Sequence, residues 1–194
     1  MDTGIFATFS KKVISTIIAL GSMFYSTIDG VTPTMPPPIL QYKNDNILVS
    51  ATIENCYTDE LEQIFSTGNE IRLDFSIGLL QVGQNSPDST ITFFHTLRYS
   101  PIENTFSIFF SERNETVSIL DIEQAKRLFP AIANHAIFPI DIIAENANYY
   151  LEIKAWLNKI KLEGIEEELN LLFYWNSIKP SIKSAVFTKH DFLR

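Results

Sequence analysis

From Ile47 onward the chain alternates. Ile47, Val49, Ala51 and Ile53 share one side, and Leu48, Ser50, Thr52 and Glu54 the other, which is the period of a half-buried strand. The period then changes to that of a helix. Asp59 with Glu62 three residues on forms a capping box, Leu61, Ile64 and Phe65 line one face, and Gly68 supplies a left-handed stop. Ile71, Leu73, Phe75, Ile77 and Leu79 next mark one face of a long strand, opposite Arg72, Asp74 and Ser76. After the loop GQNSPDST, the run ITFFHTLRY predicts its hairpin partner, and FSIFF turned through ERNE into TVSIL predicts a second hairpin. A second helix is signalled by Asp121 with Gln124 as its cap, by Ile122, Ala125, Leu128 and Phe129 facing inward, and by Pro130 at its end.

The last third reads as strand again. Leu151, Ile153, Ala155 and Leu157 oppose Tyr150, Glu152, Lys154 and Trp156; after GIEEE, Leu169, Leu171, Phe173 and Trp175 oppose Asn170, Leu172 and Tyr174. Both helices are too short to stand alone and must lie on the sheet. The expected fold is α+β, predominantly antiparallel β, with about eight strands in a two-layer or sandwich-like domain carrying two short helices.

The opening of the chain breaks this pattern. Lys11 and Lys12 precede an uncharged run from 13 to 28, between the roughly 20 residues of a spanning helix and the about 7 to 15 of a signal core. Residues 1–29 are therefore expected to be a hydrophobic helix acting as signal peptide or membrane anchor, with everything after them extracytoplasmic. Pro33, Pro36, Pro37 and Pro38 then predict an extended spacer over residues 30–38. Residues 39–194 form the single globular domain.

Composition adds exclusions. The formal charge of the chain is -8, and removing Asp2, Asp29, Lys11 and Lys12 leaves 13 basic and 21 acidic groups, so the acidity belongs to the domain. Such a field repels phosphate backbones; neither nucleic acid nor an anionic membrane surface is an expected partner of the folded part. One cysteine, Cys56, rules out an internal disulfide and reads as a buried thiol rather than a nucleophile.

The order of these segments carries a resemblance. A short helix closed by glycine over residues 59–68, LRYSPIENTFSI, a capped helix starting DIEQA, YYLEIKAWLNKIKL, and a strand ending FYWNS are similar to the DUF4390 family, over about residues 39–187. The chain has LEGIEEEL where the family pattern places a proline-rich turn. The resemblance implies a bacterial envelope role and an N-terminal hydrophobic segment. It brings no catalytic residues.

The residues themselves name no chemistry. His95, His135 and His190 are far apart and have no zinc spacing. His95, among Phe93, Phe94 and Leu97, reads as a packed or hydrogen-bonded core residue, and His135 is placed in a loop. Glu166, Glu167 and Glu168 lack the interleaved Asp, Asn and Gly of a calcium loop. Asn114-Glu115-Thr116 is a surface-turn signal, and Trp156 and Trp175 read as core or as a binding groove. No catalytic, cofactor-binding or metal residue is assigned. The expected function is a non-catalytic module that presents a sheet face or edge to an envelope protein partner; an apolar ligand or lipid carrier is the alternative, and a hydrolase with a scattered site the third.

Overall fold

The computed structural model describes residues 30–161 and 168–193. The hydrophobic run before Gly30 lies outside the described residues. Among the described residues, no helix is long and apolar enough to cross a membrane.

The fold is mostly antiparallel sheet with two short helices. A large sheet has the order β11-β8-β3-β4-β5-β6, formed by Ser181–Lys183, Tyr149–Leu157, Ile71–Gln81, Ser89–Ser100, Thr105–Phe110 and Glu115–Ile119. A small sheet joins β1 (Ile39–Lys43), β2 (Asn46–Thr52) and β7 (Ala131–Pro139). A further pair joins β9 (Lys159–Lys161) and β10 (Glu168–Asn170). All pairings are antiparallel.

Alternation places the core. Ile71, Leu73, Phe75, Ile77 and Leu79 of β3 are fully buried, as are Leu151, Ile153 and Ala155 of β8. They join Ile47 and Val49 of β2 and Ile132 of β7 in one hydrophobic cluster between the sheets. The ring of His135 on β7 stands edge-on to Phe93 on β4, with centroids 4.9 Å apart.

The helices α1 (Asp59–Phe65) and α2 (Ile122–Leu128) close this core. Phe65 at the end of α1 meets Phe129 at the end of α2, edge to face at 6.2 Å, and Lys126 of α2 reaches Glu62 of α1 at 2.5 Å. Asp121 caps α2 as expected, accepting from the Glu123 N–H. The cap of α1 is one residue earlier than expected: the Thr58 hydroxyl accepts from the Leu61 N–H, and Asp59 is already helical. Gly68 has φ +79 and makes the left-handed exit, where a Cβ would be strained.

Four other expectations are corrected. There are eleven strands among the described residues, rather than about eight. Residues 30–38 do not stand off as a spacer: Thr34 bridges to Glu54, Val31 N–H bonds to the Tyr174 carbonyl at 3.0 Å, and Met35 is buried. His135 lies on β7 rather than in a loop. The run Leu169 to Trp175 is not one strand: β10 ends at Asn170, whose side chain caps a 3-10 turn, Leu171–Trp175, by accepting from the Leu172 N–H. Leu171, Tyr174 and Trp175 are buried in that turn, a helical rather than a strand spacing.

Candidate functional site

The residues singled out in the sequence do not converge. Cys56 is buried, and burial pushes its thiol up to about 12, outweighing the lowering by neighbours such as Tyr57. Trp175 is 2% exposed, and its indole N–H donates to the Cys56 carbonyl at 2.7 Å. These residues border a crevice with Phe65, Leu73 and Phe129 that is too tight to seat a water molecule. His190 sits exposed in a 3-10 turn, Lys189–Asp191. Glu166 and Glu167 lie outside the described residues, while Glu168 on β10 faces Lys159 at 3.7 Å. Among the described residues no group of three His, Cys, Asp or Glu is placed to hold a metal ion.

His95 does meet a polar partner. On β4 its ring is packed against Phe75 and Phe110, with centroids 4.9 and 4.7 Å away, and its side chain is 0% exposed. Nδ1 lies 2.8 Å from the Phe129 carbonyl at the end of α2. Nε2 lies 3.3 Å from Glu112 Oε1, a carboxylate only 3% exposed, whose other oxygen has no hydrogen-bond partner among the described residues. Glu112 belongs to the turn joining β5 to β6, and Arg113 beside it approaches Oε1 at 3.6 Å. Burial pushes the Glu112 carboxyl up, but the His95 hydrogen bond and charge, with Arg113, hold it below its ordinary range. Burial lowers His135 across the core; Glu112 opposes that, and His95 and Arg113 add to it.

Glu112 escaped the sequence reading because ERNE looks like a solvated turn. One signal was available. Counting by two from Phe106, Ile108 and Phe110 puts residue 112 on the core face, and the β4–β5 register sets Phe110 opposite His95.

The two ends of the large sheet are built differently. β11 is three residues long, preceded by Pro180 and carrying Lys183; Lys179 and Lys183 lie over the rings of Trp156 and Tyr150 at 5.3 and 4.8 Å. Short length, proline and lysine are the usual guards of a sheet edge. β6, ETVSI, has neither lysine nor proline. Ser111 N–H bonds to the Phe94 carbonyl, so odd residues of β5 bond towards β4 and even ones towards β6. With Ile108 opposite Val117, the backbone groups of Glu115, Val117 and Ile119 are taken, and those of Thr116 and Ser118 point off the sheet. Just past them, Leu120 is 75% exposed.

The outer face next to this edge is aromatic. Phe94 and Phe109 lie 6.0 Å apart, Phe109 is paired with Thr116, and the Arg72 guanidinium covers Phe94 at 3.7 Å. Arg72 is held there by Asp74, which also accepts from the Asn158 side chain.

Neither the curated proteins nor the solved structures match the chain. Residues 39–163, which run from β1 past β9 and include both helices, the His95–Glu112 pair and the β6 edge, match the family described as domain of unknown function DUF4390, and the chain belongs to that family.

Proposed function

We propose that the protein is a non-catalytic interaction module of the bacterial cell envelope, exported or anchored by its N-terminal segment, that accepts an extended segment of a protein partner as a further strand beside β6. The observation carrying this reading is the unequal protection of the two sheet edges: β11 is guarded by Pro180, Lys179 and Lys183, while Thr116 and Ser118 present backbone donors and acceptors with no such guard. Strand addition uses such groups for affinity and neighbouring side chains for specificity. Here Leu120, Val117 and Phe109 would supply the neighbours. A histidine sealed at 0% exposure cannot reach a substrate, which counts against the hydrolase reading. The crevice beside Cys56 gives the carrier reading no support.

Ser118→Pro tests the edge directly. The Ser118 N–H is not used by β5, so proline removes an outward donor and blocks the approach while sparing the ladder. Tagged protein and variant are compared by pull-down from detergent-solubilised envelopes, with proteins and lipids identified by mass spectrometry. A protein partner held by the parent and lost by an equally stable Ser118→Pro supports the proposal. A partner retained equally by both, or recovery of lipid alone, refutes it.

A further inference from the structure

Two hydrogen-bond contacts fix how many protons the buried pair must hold. The Phe129 carbonyl can only accept, so Nδ1 of His95 carries a hydrogen. If Nε2 were bare and Glu112 ionised, two lone pairs would face each other at 3.3 Å inside the core. One further proton therefore belongs between them, as imidazolium with carboxylate or as imidazole with carboxylic acid. Neither side chain is open to solvent: His95 is 0% and Glu112 3% exposed. The proton can pass to water only if the turn over it opens.

That turn, between Phe110 and Glu115, connects β5 to the sheet-ending strand β6. It is otherwise tied down by the Ser111 hydroxyl, which accepts from the Phe94 N–H, and by the Ser111 N–H on the Phe94 carbonyl. Among the described residues, the titratable and charged groups around the pair come from two elements: Arg113 in the turn stands 3.6 Å from Glu112 and from Glu115, and His135 faces from β7, while the residue capping α2, Phe129, contributes a neutral carbonyl. His95's neighbours across the sheet, Leu73 and Phe110, are apolar.

We infer that His95 and Glu112 form a proton-operated clamp on the β5–β6 hairpin, which holds the turn against the core while the pair keeps its shared proton and releases it when that proton passes to solvent water. The clamp is independent of the docking reading, though it would make access to the β6 edge depend on pH.

The test uses the full chain with ¹⁵N-labelled histidine and ¹³C-labelled glutamate, followed by NMR between about pH 5 and pH 9. While the turn is closed, both ring nitrogens of His95 are expected to carry hydrogens beside an ionised Glu112. Where raising the pH leaves Nε2 bare, the amides of residues 111–116 are expected to exchange about tenfold faster in the same step, after correction for intrinsic rates. In Glu112→Gln the side-chain NH2 can donate to a bare Nε2, so the step at these amides disappears. The inference is overturned by a bare Nε2 beside an ionised Glu112 in the closed fold. It is also overturned by turn amides indifferent to the His95 step, or by a Gln variant that keeps the step. The ring and carboxyl signals of the unmodified chain decide the first two outcomes even where the variant fails to fold.

Discussion

The two tryptophans are expected to part company when each is cut to alanine. Trp175 fills the core beside Cys56 and, at 2% exposure, is the largest fully buried side chain among the described residues; its N–H satisfies a buried carbonyl. Truncation removes a whole indole from a site that cannot collapse easily, costing about 3 to 5 kcal/mol. Part of that cost is the stranded Cys56 carbonyl, about 1 to 3 kcal/mol, which Trp175→Phe would isolate. Trp156 is half-buried on the outer face under Lys179, and its loss should cost about 1 kcal/mol of contact and cation–π energy. For a domain of this size each kcal/mol moves the melting midpoint by about 2 to 4 °C, so Trp175→Ala should fall by about 6 to 20 °C and Trp156→Ala by about 2 to 4 °C. Melting followed by circular dichroism measures both. Intrinsic fluorescence of Trp156→Phe should remain blue-shifted, since only the sealed indole is left. Equal midpoints for the two alanine variants would refute the assignment of Trp175 to the core and Trp156 to the surface.

Thr58→Ala should cost about 0.5 to 2 kcal/mol in denaturant unfolding, because it removes the acceptor for the Leu61 N–H, while Asp59→Ala should cost less than Thr58→Ala. The reverse order would move the cap. His135 is held below its ordinary 6.5 in the fold, so the unfolded chain binds its proton more readily; its contribution is present above that value and is lost as pH falls through it. His135→Gln should therefore flatten the stability profile just below pH 6.5, read from unfolding midpoints at a series of pH values. Cys56, with its thiol pushed up to about 12, should resist a thiol reagent in the native state and react once denatured. Fast labelling of folded protein would show that the thiol is not sealed.

The central strands and both helices were legible because one face of each is buried, and burial writes its period into the sequence. β3 and β8 show this most plainly, with every second residue in the core. β7 was missed because its period is broken. The β2–β7 register shifts between Ile47 and Leu48 and again between Val49 and Ala51, Asn134 takes φ +47, and the adjacent Ile137 and Phe138 are both buried. A bulge moves the phase, and alternation no longer sums across it. β1 was hidden by weak burial; the clue was Asn44-Asp45, both at positive φ in a tight hairpin turn. The last predicted strand failed for the opposite reason, since Leu169, Leu171, Phe173 and Trp175 alternate by chance while the 3-10 turn buries Leu171, Tyr174 and Trp175. Of the candidate site, His95 could be placed from its aromatic neighbours. Its partner could not, because pairing with Glu112 depends on a hairpin register that only the fold supplies.

The order of strands in the large sheet also sets a timetable for synthesis. β3 pairs with its sequence neighbour β4 on one side, but on the other it waits for β8, which sets Asp74 beside Trp156. The small sheet has the same delay, since β2 needs β7. Both seams join early chain to late chain, the kind of long-range closure that slows folding. A nascent chain ending before residue 149 can form the β3–β4 and β5–β6 hairpins yet leaves one side of β3 bare along its eleven residues. For that interval the most deeply buried strand of the sheet is an open template, and what keeps it from aggregating must be a chaperone or the speed with which the last third of the chain arrives.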